Sequence, residues 1–159
     1  MTSETPDRPA ATDRWSAGGE VMDAVYGPGF SARLSPTEAD PWLTDTVEHL
    51  FGEVWARPGL SIRDRRLLVI GATAALGRED LLRVQVRGGL RGGEFDADGL
   101  QEVLLQLAYY VGWGNATALA AGIRAAIADV SAEAPPTDSH AQDDADTQDE
   151  DTHERGASA

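Results

Sequence analysis

The chain has 159 residues, of which 42% are hydrophobic, and this length suits one domain with a buried core. It contains no cysteine, and all thirteen basic residues are arginine, which excludes disulfides, thiolate chemistry and Schiff bases on lysine. The net charge of −14 argues against a nucleic-acid partner, and the lack of a long apolar run argues against a membrane partner, so we expect a cytoplasmic protein.

The first half of the chain has the apolar spacing of helices. One helix is expected near residues 13–25. The next begins where Ser35 is an N-cap and Pro36 the first helical residue, and it ends at the Arg-Pro-Gly of residues 57–59. Its apolar stripe consists of Leu43, Val47, Leu50, Phe51 and Val54.

The second half predicts four more helices. Ser61 caps one that stops at Gly77, another covers about residues 79–91, and Asp96 caps a third. The last two helices carry two apolar stripes, formed by Leu100, Val103, Leu104, Leu107 and Val111 and by Leu119, Ile123, Ile127 and Val130. No stretch alternates with a period of two, so the predicted fold is all-α, a compact bundle of about six helices.

The two ends of the chain differ from this helical domain, which we place at residues 13–130. Residues 1–12 are expected to be a disordered N-terminal segment. Residues 131–159 hold nine acidic residues, one arginine and no large apolar residue, which predicts a disordered acidic tail. Solubility is the simplest role for such a tail, and docking to a partner is the alternative.

His49 is the single histidine outside the acidic tail, which argues against a metal site built on histidines. It stands four residues before Glu53, so a helix would place both side chains on one face. An imidazole and a carboxylate at the edge of a core can act as general acid and base. A hydrogen-bonded surface pair without catalytic function is the alternative.

Two arginines are candidates for binding an anionic substrate, because a guanidinium matches the geometry of a carboxylate. Arg57 follows Glu53 at the expected helix end, where it would alternatively bind the last helix carbonyls. Arg66 belongs to the basic segment IRDRRL, and an ion pair with Asp64, Glu53 or a neighbouring subunit is its alternative role.

Aromatic side chains are concentrated in the segment AYYVGWGNA, between the last two predicted helices. Tyr109, Tyr110 and Trp113 combine apolar rings with polar groups, which suits a pocket wall or an oligomer interface. Packing in the core would explain them equally well.

These segments together resemble the carboxymuconolactone decarboxylase family, the small helical relatives of alkylhydroperoxidase D. The resemblance covers roughly residues 14–128, through RWSAGGEVMDAVYG, FGEVWARPGLSIRDRRLLVIGATAALGRED, LLRVQVRGGLRGG and LQEVLLQLAYYVGWGNA. It implies an alkylhydroperoxidase D-like helical subunit that forms homo-oligomers, trimers or hexamers, with pockets near the subunit contacts. It also implies proton chemistry without a cofactor or metal, as in the decarboxylation of a carboxylated muconolactone.

Peroxidase members of this family use a CxxC dithiol together with a histidine and a glutamate. The matching places here hold Arg78 and Leu81 for the dithiol, Gln85 for the histidine and Arg66 for the glutamate, so reduction of peroxide by that route is excluded. A glutamine in place of the histidine can form hydrogen bonds but cannot transfer a proton at neutral pH. The residues that match the decarboxylase pattern are Glu53, Trp55, Arg57, Pro58, Gly59, Glu102, Gln106, Tyr110 and Gly112.

The resemblance and the candidate residues together predict an enzyme that needs no cofactor. It would decarboxylate, isomerise or cyclise a small acidic, lactone or polyketide-like substrate, in aromatic catabolism or in biosynthetic tailoring. Glu53 would move the proton with His49 or Tyr110. The predicted substrate-binding residues are Arg57 or Arg66 for the anion, Gln85 for a carbonyl, and Trp55 and Trp113. The alternative is a non-catalytic oligomeric binding or scaffold protein that retains the fold.

Overall fold

Six helices and one short 3₁₀ turn make up the part of the chain that the computed structural model describes, residues 11–133. The helices are α1 (Ala11–Tyr26), α2 (Pro41–Asp45, continued as a π-helix over Thr46–Trp55), α3 (Ile62–Ala75), α4 (Glu79–Arg91), α5 (Ala97–Val111) and α6 (Trp113–Glu133), and the 3₁₀ turn is Ser31–Arg33. No residue between 11 and 133 belongs to a strand. The predicted all-α bundle of about six helices is confirmed.

Several helix ends follow from capping residues that the sequence reveals. The Ser61 hydroxyl accepts a hydrogen bond from the Asp64 amide at 3.1 Å, and the Asp96 carboxylate accepts one from the Gly99 amide at 2.7 Å. Each satisfies an amide in the first turn that has no partner within the helix. The predicted caps of α3 and α5 are therefore confirmed.

The predicted start of α2 is wrong. The helix begins at Pro41, and the Asp40 carboxylate caps it by accepting a hydrogen bond from the Leu43 amide at 2.7 Å. The Ser35 hydroxyl instead shares a hydrogen bond with the hydroxyl of Thr37. Ser-Pro and Asp-Pro are equally good starting signals, since each places a capping oxygen before a proline at the first helical position.

The π-helical part of α2 changes which side chains are buried. Val47, Phe51 and Trp55, spaced four residues apart, are buried, whereas Leu50 and Val54 are 41% and 37% exposed. A π-helix closes its turns with i→i+5 hydrogen bonds, so residues four apart align more closely than in an α-helix. The predicted stripe was therefore wrong for Leu50 and Val54.

The core consists of two apolar clusters. One joins α1 to α2 through Met22, Val25, Val47, Phe51 and Trp55. The other joins α3, α4, α5 and α6 through Ile70, Ala74, Leu82, Val86, Leu100, Leu119, Ile123 and Ala126. Helix α4 packs against both α1 and α6, so it connects the two halves of the bundle.

Helix α6 continues to Glu133, three residues beyond the domain boundary predicted at residue 130. Apart from residues 11–12 and 131–133, the segments predicted to be disordered, 1–12 and 131–159, lie outside the described residues. None of the described helices combines the length and the apolar character that crossing a bilayer requires.

Candidate functional site

His49 and Glu53 form a hydrogen-bonded pair on the π-helical part of α2. The distance between His49 Nδ1 and Glu53 Oε2 is 2.8 Å, and the two side chains are 57% and 52% exposed. A carboxylate holds the proton of a neutral imidazole on the nitrogen that it contacts, which is Nδ1 here. Nε2 of His49 is then the free basic nitrogen.

This pair borders an open depression of about 520 Å³ between α1 and α2. The polar residues around it include Arg14, Thr44, Asp45 and Glu48. This volume is large enough for a small organic acid rather than only water.

Arg14 brings a positive charge to the same depression. Its Nη2 lies 2.5 Å from Oε2 of the buried Glu48, and its Nη1 lies 3.9 Å from Oε1 of Glu53. The guanidinium therefore connects two carboxylates of α2. Sequence reasoning did not identify Arg14 or Glu48, because they are far apart in the chain and no local spacing relates them.

Arg66 lies in the interior rather than at the depression. It is fully buried, and its guanidinium makes five hydrogen bonds: two to the Glu94 carboxylate, one to the Val25 carbonyl, and two to the carbonyl and side-chain oxygens of Gln85. A guanidinium has five N–H donors, so none remains for a substrate carboxylate. The ion pair that the sequence suggested as the alternative role of Arg66 is present, but Glu94 is its partner.

Gln85 joins this interior network. Its Oε1 lies 3.3 Å from Arg66 Nη1, and its Nε2 donates to the Tyr26 hydroxyl oxygen at 3.4 Å. Burial raises the pKa of the Tyr26 phenol, which stays protonated at neutral pH. Arg66 and Gln85, which stand where the peroxidase members have a glutamate and a histidine, are thus in contact, and neither side chain can transfer a proton at neutral pH.

The other predicted site residues lie elsewhere. Trp55 is buried and stacks on Phe51 with the ring centroids 5.8 Å apart. Arg57 is exposed just beyond α2, and its carbonyl accepts a hydrogen bond from Arg65. Tyr110 and Trp113 are 79% and 69% exposed at the junction of α5 and α6. None of these four lines the depression beside His49 and Glu53.

Within residues 11–133, no three histidine, aspartate or glutamate side chains are grouped in a way that could hold a metal ion.

The chain is similar to known proteins over most of this bundle. Residues 41–125, from the start of α2 into α6, match the model of the carboxymuconolactone decarboxylase family. A 4-carboxymuconolactone decarboxylase of Acinetobacter baylyi is 44% identical over 62 residues, which are 39% of this chain and 46% of that protein. The chain thus matches about half the length of this curated relative. Since the family match extends over more than half of the chain, the protein belongs to the carboxymuconolactone decarboxylase family.

Proposed function

We propose that the protein is a cofactor-independent enzyme of the decarboxylase type that moves a proton on a small acidic, lactone or polyketide-like substrate. Family membership supports the general class of reaction. The observation that supports the proposed site is the 2.8 Å contact between His49 and Glu53 at an open depression. Decarboxylation, isomerisation and ring closure share the same step, transfer of a proton to or from carbon beside a carbonyl group.

His49 performs that transfer in this proposal. In an isomerisation, Nε2 takes a proton from carbon, the electron pair of the C–H bond moves into an enolate, and the imidazolium returns the proton at another carbon. In a decarboxylation, Nε2 first takes a proton from water. The bond to the carboxylate then breaks, carbon dioxide leaves, and the imidazolium protonates the resulting enolate. Glu53 orients the ring and stabilises its positive charge.

Arg14 is the cation best placed to attract the substrate's carboxylate, because it borders the same depression. All five N–H donors of Arg66 are used within the protein, so we propose that Arg66 and Gln85 stabilise the helix bundle and do not bind substrate. Arg57, Tyr110 and Trp113 would contact substrate only if a neighbouring subunit brought them to the depression, as the predicted trimer or hexamer allows. Their exposure on the single chain is compatible with such an arrangement.

The test is an assay with a panel of substrates, comprising 4-carboxymuconolactone, muconolactone and a simple β-keto acid. Carbon dioxide release and isomerisation are followed for the unmodified protein, for Glu53→Gln and for Glu20→Gln, an exposed residue of α1 that serves as control. We expect turnover that Glu53→Gln lowers and Glu20→Gln leaves unchanged. No turnover of any member of the panel, or equal turnover by all three proteins, would contradict the proposal.

A non-catalytic oligomeric binding protein is the second candidate, and the network of Arg66, Gln85 and Glu94 favours it. Arg66 and Gln85 stand where the peroxidase members have a glutamate and a histidine, and here Arg66 forms an ion pair with Glu94 in place of proton-transferring groups. Such a protein would form an oligomer through exposed aromatic residues without turning over the panel. Light scattering of Tyr110→Ser and Trp113→Ser, compared with the unmodified protein, would show whether the junction of α5 and α6 is the interface.

A further inference from the structure

A second cavity lies between the end of α1, the 3₁₀ turn that follows it, and α4. Its volume is about 120 Å³, and it shares no lining residue with the depression beside His49. One water molecule needs only about 10–15 Å³ on this scale, so the cavity admits a molecule of several heavy atoms.

The charged residues that line this cavity are all arginines, namely Arg33, Arg87 and Arg91. This is unusual in a chain whose net charge is −14. Arg33 forms no ion pair with any described residue. Arg87 and Arg91 share a single carboxylate, that of Glu133. The three guanidiniums therefore leave an excess of positive charge around the cavity, which favours an anion there.

The rest of the lining is apolar and aromatic. The rings of Tyr26 and Phe30 are 4.7 Å apart, and Val84 adds an aliphatic surface from α4. The Tyr26 oxygen accepts a hydrogen bond from Gln85, which leaves the phenol hydrogen available for another acceptor. The cavity therefore combines a cationic rim, a hydroxyl donor and an apolar wall.

The protein's own Glu133 indicates which anion suits this rim. Its carboxylate accepts hydrogen bonds from Nε and Nη2 of Arg91 at 2.9 and 2.6 Å, and it lies 3.4 Å from Nη2 of Arg87. Two of the three arginines are thus already arranged around a carboxylate. A ligand carboxylate would bind Arg33 and Arg87 and would compete with Glu133 for Arg87.

We propose that this cavity is a second binding site, specific for a small carboxylate with a short aromatic or apolar body. Arg33 and Arg87 bind the carboxylate, Tyr26 donates a hydrogen bond to it, and Phe30 and Val84 contact the body. Glu133 acts as an internal competitor. The site is independent of the proton chemistry proposed for His49 and Glu53.

Binding of 4-fluorobenzoate, followed by ¹⁹F NMR titration, tests this site. We expect Arg33→Gln and Arg87→Gln each to weaken binding about tenfold, the effect of losing one hydrogen bond to a charged group. Arg87→Lys should restore part of the affinity. Glu133→Gln should strengthen binding about threefold, by removing the competing charge. Arg124→Gln, at an exposed position of α6, is the matched control and should have no effect.

Two further controls separate this site from the proposed active site and from nonspecific binding. The double variant His49→Gln, Glu53→Gln should bind 4-fluorobenzoate as the unmodified protein does, and 4-fluorobenzyl alcohol should bind far more weakly. If Arg87→Gln does not fold, the affinity of Arg33→Gln for 4-fluorobenzoate tests the site alone. Arg33 is exposed on the turn, so its substitution should not affect folding. The proposal is overturned if 4-fluorobenzoate does not bind, if the alcohol binds equally well, or if only the double variant loses binding.

Discussion

The buried Arg66 forms a bidentate ion pair with Glu94, in which Nε and Nη2 of the arginine donate to the two carboxylate oxygens at 2.7 and 3.0 Å. The pair joins α3 to the loop between α4 and α5. The same guanidinium binds the Val25 carbonyl at the end of α1. One side chain therefore connects three parts of the bundle, at a position where the peroxidase members would have a glutamate.

Glu94→Ala should lower the free energy of unfolding by about 3–5 kcal/mol, because it leaves the Arg66 charge in the interior without its partner. Urea denaturation measures this change. Glu20→Ala, at an exposed position of α1, should change stability by no more than about 0.5 kcal/mol. Equal stabilities of the two variants would show that Arg66 does not depend on Glu94.

Gly88 allows α4 to approach α1 closely. A Cβ atom at this position would lie 2.4 Å from the Val25 carbonyl oxygen and 2.7 Å from Arg66 Nη1. Gly88→Ala should therefore destabilise the protein by about 1–3 kcal/mol. Gly114→Ala is the matched control, since its Cβ would meet no atom within 4 Å and alanine favours the helix. Thermal unfolding should show opposite shifts for the two variants, and a stable Gly88→Ala would contradict the close contact.

The parts of this fold that the sequence predicts are those that depend on neighbouring residues. The caps at Ser61 and Asp96 follow from side chains within three positions of each helix start, and the bounds of α4 follow from the glycines that flank it, Gly77 and Gly92. The start of α2 was predicted wrongly because Ser35-Pro36 and Asp40-Pro41 both have the pattern of a helix start. Its π-helical form was missed because the apolar positions also fit an α-helical stripe, and only burial in the bundle distinguishes Leu50 from Phe51.

The contacts of the candidate site also divide into those between neighbouring residues of one helix, which the sequence predicts, and those between separate elements, which it does not. The contact of His49 with Glu53 follows from their spacing on one helix. The contacts of Arg14 with Glu48, of Arg66 with Glu94 and of Gln85 with Tyr26 join separate elements. Such contacts depend on how the helices pack, which no local pattern encodes.

Asp23 should give the protein part of its sensitivity to acid. Its carboxylate accepts a hydrogen bond of 2.7 Å from the Ser31 amide, and this bond lowers the pKa of Asp23 from its ordinary value of 3.8. A lowered pKa in the folded state means that the carboxylate contributes stability above pH 3.8, and that this contribution is lost as the pH falls through the folded pKa.

Asp23→Asn should therefore lower the free energy of unfolding at pH 6, and the difference from the unmodified protein should shrink as the pH falls below 3.8. Urea denaturation across this pH range measures both changes. Glu38→Gln, in the exposed loop before α2, should show no such pH-dependent difference. If Asp23→Asn lowered the free energy of unfolding by the same amount at every pH, the charge of Asp23 would not contribute to stability.

His49 and Glu53 should behave as one catalytic unit. Loss of a general acid–base group lowers turnover by about 10²–10⁴-fold, so His49→Gln should lower kcat by that factor. Glu53→Gln should lower kcat less, because glutamine still accepts the hydrogen bond from Nδ1 but does not stabilise the imidazolium.

The double variant tests whether the two residues act together. In the absence of His49, Glu53 has no ring to orient, so the double variant should be no slower than His49→Gln alone. Both side chains are about half exposed, and the melting temperature should change little in all three variants. Additive losses of kcat would mean that the two residues act separately.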